Sequence, residues 1–214
     1  MRALVERLAA ELGFVHVRTS ALPAQTPRIE AFQSWLAEGL HGDLDYLTRR
    51  PEERRDPRTR LPQARSVLVL GLDHHHQRPP DPGGLTGRVA SYAWGRDYHN
   101  LVGKRLRKLR RRLREQGIES WGGVDTAPIL ERAWASASGL GFTGKNTLSI
   151  LPAQGSFLLL AVLFVDVELP SDPVLGDHCG SCVRCLSACP TRAFQGPHRL
   201  DARRCISYWT IEPR

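Results

Sequence analysis

Hydrophobic positions in this chain recur with two distinct periods, and the changes between them divide it into elements. Leu4, Val5, Leu8 and Leu12 share one helical face and predict a helix over residues 1–12, after which Phe14-Val15-His16-Val17 reads as a strand. A second helix is expected over residues 28–40, carrying Ile29, Phe32, Trp35 and Leu36 inward and ending at Gly42. Residues 49–62 are charged and punctuated by proline, which predicts loop for much of their length. The continuous apolar run of residues 66–72 predicts a buried strand, and residues 74–87, with Pro79, Pro80, Pro82, Gly83 and Gly84, predict another loop. Leu101, Val102, Leu106, Leu109 and Leu113 predict a helix over residues 98–116. Residues 121–124 can form a strand, Asp125-Thr126-Ala127-Pro128 opens a helix expected to run through Ser138, and residues 157–168 carry the strongest strand pattern in the chain. Pro170, Asp172 and Pro173 then form a linker into a cysteine-rich region. Helices and strands alternate without a glycine-rich phosphate loop. The expected fold class is therefore α+β, with a mixed-sheet domain over residues 1–170 and a small cysteine domain over residues 171–214.

Composition changes this picture little. Hydrophobic residues make up 41% and charged residues 24% of the 214, the balance of an ordinary folded domain. The first 13 residues are broken by Arg2, Glu6, Arg7 and Glu11, so they lack the apolar run of a targeting signal. The longest apolar stretch, residues 157–165, falls far short of the ~20 residues that cross a bilayer. A cytoplasmic protein is expected. Lys and Arg number 30 against 22 Asp and Glu, a formal charge of +8 that favours a polyanionic partner. Much of that charge lies in the helix over residues 98–116, as Lys104, Arg105, Arg107, Lys108, Arg110, Arg111, Arg112 and Arg114. Either this is a solvated outer face or it contacts phosphate. His74-His75-His76 reads as loop rather than a metal site, because three adjacent histidines in a proline-rich segment rarely share one ion.

The cysteines do change the picture. All five lie beyond residue 178, as Cys179-x2-Cys182-x2-Cys185-x3-Cys189-Pro190 and Cys205. A disulfide framework would spread an even number along the chain. Thiolates stepped by three residues can instead wrap three corners of an iron–sulfur cube, and the spacing is that of bacterial ferredoxins. A structural zinc site also uses C-x-x-C pairs, but the three-step run followed by Cys-Pro is unusual for zinc. Cys205 is either a further ligand or a buried apolar residue. Two clusters of four thiolates each exceed the five cysteines, so either one cluster takes four of them or further ligands lie outside this sequence.

Three longer motifs accompany the cysteines: Ser91-Tyr92-Ala93-Trp94-Gly95-Arg96-Asp97-Tyr98-His99, Val124-Asp125-Thr126-Ala127-Pro128-Ile129-Leu130-Glu131-Arg132, and Gly139-Leu140-Gly141-Phe142-Thr143-Gly144-Lys145-Asn146-Thr147. With Arg203-Arg204-Cys205-Ile206-Ser207-Tyr208 they resemble, in order, the epoxyqueuosine reductase family of cobalamin- and iron–sulfur-dependent enzymes, from about residue 41 onward. The resemblance implies reduction of epoxyqueuosine to queuosine at the wobble position of tRNA. It also implies a nitroreductase-like domain holding base-off cobalamin, and two [4Fe–4S] clusters that feed it electrons. By the same resemblance Asp125 is the proton donor over the cobalt face, and Arg54, Ala90, Ser149 and Leu160 contact the cobalamin. Cys179, Cys182 and Cys185 would serve the first cluster and Cys189 and Cys205 the second. Family members continue with a second cysteine motif and a helical-repeat domain, so the chain resembles a truncated form with an incomplete ferredoxin-like domain.

The implied partners are the tRNA anticodon region and an electron donor of flavodoxin or ferredoxin type, and the implied state is a monomer. Arg96, Tyr98 and His99 would line the approach to an unstacked base. Read without the resemblance, Asp125 would be a helix cap and Arg54, in the run Glu52-Glu53-Arg54-Arg55, a solvated charge. The rival functions are a single-cluster electron carrier, a dehalogenase-like cobalamin reductase of small molecules, and an inactive corrin-binding remnant.

Overall fold

The computed structural model describes residues 1–77, 79–80, 83–87 and 89–211; Pro82, counted above in the loop, lies outside them. Helix α1 (Arg2–Glu11) leads into strand β1 (His16–Ala21), α2 (Ile29–Ala37), a short α3 (Pro51–Arg55) and β2 (Ser66–Asp73). Then come α4 (Tyr98–Glu115), β3 (Ser120–Gly123), α5 (Glu131–Ala137), the small strands β4 (Phe142–Thr143) and β5 (Ser149–Ile150), and β6 (Leu158–Val165). The cysteine region adds α6 (Arg184–Ser187), β7 (Phe194–Gly196), β8 (Arg199–Leu200) and α7 (Ile206–Ile211).

Among the described residues the main sheet has the order β1-β2-β6-β3. Every neighbouring pair is antiparallel, with Ser66 opposite Val165 and Asp73 opposite Leu158 in the long central ladder. The expected mixed sheet is thus corrected. β2 and β3 do run parallel, joined by α4 as a crossover, but β6 inserts between them and runs against both. The expectation of parallel neighbours fails because this strand comes from later in the chain.

Alternation along β2 explains its unbroken apolar run. Leu68, Leu70 and Leu72 point to one face, where they pack with Leu163 and Val165 under Val5, Leu8 and Ala9 of α1 and Leu106, Leu109 and Leu113 of α4. Val67 and Val69 point to the other, where Trp134 of α5 packs on Phe164. A strand covered on both sides has no polar face to display. α4 starts where the carboxylate of Asp97 accepts the His99 amide at 2.9 Å, an N-cap.

Two further expectations need correction. The helix expected from Asp125 begins only at Glu131, because residues 124–129 fold into tight turns in which Asp125 has φ 53°. The stretch 49–62 is less of a loop than expected: Pro51 sits in the first turn of α3, with Glu52 and Glu53 following it and Arg54 and Arg55 in the last turn, the arrangement the helix dipole favours. The cysteine region is strapped to the main domain through Asp172, whose carboxylate accepts from Arg2 at 2.8 Å and from the Thr19 amide at 2.8 Å. Tyr208 of α7 donates to Asp43 at 2.8 Å. Among the described residues no helix is long and apolar enough to cross a membrane.

The central ladder carries the stability of both faces. Truncating the fully buried Leu163 to alanine is expected to cost about 2–5 kcal/mol, read as a lower urea midpoint with an unchanged slope.

Candidate active site

At its Leu158 end β6 loses its cover. Leu158, Leu159 and Leu160 are only half-buried, and they line a cavity of about 1070 Å³, with Leu158 and Leu160 on the Trp134 face of the sheet. Phe32 and Trp35 of α2 form one side, residues 129–133 another, and Thr147 and Leu148, from the β4–β5 turn, a third. Residues 197–200 of the cysteine region close the fourth side, held there by the indole of Trp35, which donates to the Leu200 carbonyl at 2.5 Å. Of the inward residues expected of α2, Ile29 is buried, whereas Phe32 and Trp35 are half-buried because they face this space rather than a core.

Arg54 lines the cavity and is buried, which overturns its reading as a solvated charge. Its guanidinium donates to the carbonyls of Tyr46 at 3.2 Å and Arg49 at 3.3 Å and lies over the Phe32 ring at 5.8 Å. Burial holds its pKa below the ordinary arginine value. Leu160 and Asp125 share the same cavity. Ser149 sits one residue beyond the wall, buried, with its hydroxyl lacking a hydrogen-bond partner among the described residues. Ala90 is exposed and is not part of the wall.

Asp125 is no helix cap. Its Oδ2 accepts from the Tyr98 hydroxyl at 3.0 Å and lies 2.7 Å from His99 Nε2. The other imidazole nitrogen, Nδ1, is 2.8 Å from Asp97 Oδ1, so the ring is held between two carboxylates. Partial burial works against a charge on His99, but the bonds to Asp125 and Asp97 outweigh it and raise the His99 pKa. Burial, then the charge of Asp125, raises the Tyr98 hydroxyl well above its usual range and keeps it protonated. The Asp125 side chain is 58% exposed, at the mouth of the cavity rather than deep within it. The exposed rings of Tyr92 and Trp94 lie on the segment leading to Tyr98, and Tyr92 meets Tyr98 edge-on at 6.0 Å.

Glu131 went unnoticed in the sequence except as a letter of a motif. It lines the cavity, its Oε1 is buried without a partner among the described residues, and burial pushes its carboxyl up to about 7. No periodicity marks such a residue, because only the turn at Asp125 swings it inward. The basic helix is largely engaged in structure: Arg105 donates to Gly13 O, Arg110 to Ser120 O, and Arg112 pairs with Glu11 at 2.5 Å. It packs on the sheet face opposite α5.

None of the five cysteines is in a disulfide; Cys182 is exposed and the others are half-buried. The Cys182 amide donates to the Cys179 carbonyl at 2.9 Å, folding the first C-x-x-C into a turn. Cys189 Sγ accepts from the Ala193 amide at 3.3 Å, which together with the nearby Thr191 hydroxyl lowers its pKa toward the thiolate. Among the described residues no three His, Cys, Asp or Glu side chains converge as on a single ion. A four-iron cube asks less convergence, since it presents separate corners to its thiolates.

Residues 54–126 match the family model Epoxyqueuosine reductase QueG, DUF1730, and residues 178–214 match a 4Fe-4S double cluster binding domain. The epoxyqueuosine reductase of Synechococcus sp. (strain CC9605) is 41% identical, over 98% of this chain and 66% of its own length. That of Cellulophaga algicola is 37% identical, over 98% of this chain and 68% of its own length. A crystal structure of epoxyqueuosine reductase with an epoxyqueuosine-modified tRNA-Tyr stem loop superposes with a TM-score of 0.87 at 29% identity, covering 97% of this chain and 56% of that one. The chain thus spans about two thirds of these curated relatives and just over half of the solved protein.

The buried carboxyl of Glu131 makes folding depend on pH. Its raised pKa contributes stability fully present below the ordinary glutamate value of 4.5 and lost as pH rises through about 7. Between pH 5 and pH 8 the urea midpoint is expected to fall more in the parent chain than in Glu131→Gln; equal falls would mean Glu131 is not desolvated.

Proposed function

The chain belongs to the epoxyqueuosine reductase family, and we propose that it reduces epoxyqueuosine to queuosine in tRNA, with cobalamin in the cavity and [4Fe–4S] chemistry at the cysteines. The observation that carries this is one cavity that gathers Arg54, Asp125 and Leu160 and takes its last wall from the cysteine region. In this reading residues 1–170 form a nitroreductase-like catalytic domain and residues 171–214 a ferredoxin-like unit.

A corrin suits this cavity in size and character. Volumes near 1000 Å³ are the upper end for small-molecule pockets. The leucines suit the macrocycle, and the cationic Arg54 suits its polar substituents. When bound, cobalamin supplies the electrons that break the carbon–oxygen bond. Conversion of the epoxide to the alkene consumes two electrons and two protons and releases water, so a positioned acid is needed. Asp125 serves as that acid at the mouth of the cavity. His99, 2.7 Å away and itself oriented by Asp97, returns a proton to it from solvent. The nucleotide enters past Tyr92 and Trp94, whose exposed rings offer stacking surfaces for bases taken out of a helix. The formal charge of +8 favours the polyanion. Cys179, Cys182, Cys185, Cys189 and Cys205 would hold the iron–sulfur chemistry, which would accept electrons one at a time from a flavodoxin- or ferredoxin-type donor.

Anaerobic reconstitution with iron, sulfide and cobalamin tests the cofactors. Iron counting and visible and EPR spectra are expected to report an iron–sulfur cluster and a base-off corrin; uptake of zinc in preference, with the corrin left free, would sink the reading. Asp125→Asn is expected to keep the corrin while epoxide reduction falls by about 10²–10⁴; near-normal turnover would remove Asp125 from the mechanism. Trp94→Ala is expected to weaken binding of an anticodon stem loop about tenfold at fixed salt, measured by fluorescence anisotropy.

A further inference from the structure

The turn between β4 and β5 touches both the cavity and the cysteine loop. Gly144 donates its amide to the Leu148 carbonyl at 2.8 Å, and Thr147 donates to Gly144 O at 2.8 Å, closing the turn on itself. Arg132 donates to the Thr147 carbonyl at 2.9 Å from the cavity side. From the other side the His198 amide donates to Lys145 O at 2.8 Å, and its Nδ1 lies 3.0 Å from Gly144 O. With its backbone fixed in this way, Lys145 extends its side chain to the cysteine loop and donates from Nζ to the Gly180 carbonyl at 2.6 Å. Gly180 stands between Cys179 and Cys182, at φ 47°.

Among the described residues this ammonium faces a carbonyl and forms no ion pair with a carboxylate. A short bond from a charged donor into a loop of thiolates needs a reason. The loop itself carries a negative group, Asp177, whose carboxylate accepts the Cys179 amide at 2.8 Å. A cluster held by thiolates adds further negative charge, and taking up an electron adds one more.

We propose that Lys145 is a positioning and potential-setting residue for the iron–sulfur cluster. Its ammonium pins the Cys179–Cys182 turn to the wall of the cavity, and its charge favours the one-electron-reduced state. The inference rests on the reading that these cysteines hold a [4Fe–4S] cluster. The redox step is the uptake of one electron by the oxidised cluster from a low-potential one-electron donor, with no bond made or broken. A nearby positive charge stabilises the product of that step more than its reactant, so it raises the reduction potential. The same hairpin carries Thr147 and Leu148 in the cavity wall, so Lys145 also sets the separation across which the electron must pass.

The test is a redox titration of the reconstituted full chain, with the reduced cluster followed by EPR and iron counted in parallel. Lys145→Met preserves length and removes the charge. At a fixed potential its ratio of reduced to oxidised cluster is expected to fall about tenfold, a downward shift of ~59 mV for one electron. Lys145→Gln keeps a donor without the charge and is expected to fall likewise, whereas Lys145→Arg is expected to stay near the parent. Loss of the cluster in Lys145→Met with retention in Lys145→Arg would also support the assignment, through its pinning half. Equal midpoints in the parent, Lys145→Met and Lys145→Arg would overturn it, and so would loss of the cluster in Lys145→Arg. A parent chain that binds no iron and sulfide would refute the cluster reading itself, and the iron count separates that outcome from the others.

Discussion

The pairing of β2 with β6 is the constraint on which the rest of the molecule depends. Both strands are sandwiched, so their side chains must be apolar in both directions for most of their length. One face is filled by α1 and α4. The other is filled by Trp134 and its neighbours only as far as Val162 and Phe164. Beyond that point Leu158 and Leu160 continue the hydrophobic surface on this face, half-buried, into the cavity. An uncovered apolar strand end inside a concave wall is a standing invitation to a large, flat, mostly apolar ligand. Core and candidate site are therefore two ends of the same strand.

What could be read from the chain follows from what each signal measures. Periodicity reports burial on a regular element, so α1, α4, β2 and β6 emerged within a few residues of their observed bounds. It is silent on strand order, which is why β6, entering between β2 and β3, turned an expected mixed sheet into an antiparallel one. It is also silent on very short elements: the two-residue strands β4 and β5 carry no period at all. Phe32 and Trp35 were expected inward and are, but toward empty volume instead of packed side chains.

The site divides in the same way. Spacing alone marked the run from Cys179 to Cys189 as an iron–sulfur signature, in keeping with the 4Fe-4S double cluster binding domain matched over residues 178–214, because a closely stepped cysteine loop is a local property of sequence. The setting of Asp125 is not local. Its partners Tyr98 and His99 precede it by 27 and 26 residues and meet it only because α4 starts at the cavity mouth. By pattern Arg54 is one charge in a run of four, and only tertiary structure shows it buried beside a half-buried Glu53 and the exposed Glu52 and Arg55. The strongly basic face of α4 is accounted for only in part. Arg105 and Arg110 bond carbonyls and Arg112 pairs with Glu11 across the helix pair, so part of a conspicuous run of charge serves packing.

The fourth wall of the cavity has a consequence for biogenesis. Residues 197–200, with Ala202, leave the ribosome after every other residue that lines it. A nascent chain therefore exposes a three-sided trough, with its leucine floor open to whatever apolar surface is nearby, until the cysteine segment swings back and Trp35 engages Leu200. The closed cavity therefore exists only once synthesis has passed residue 202, beyond the run from Cys179 to Cys189.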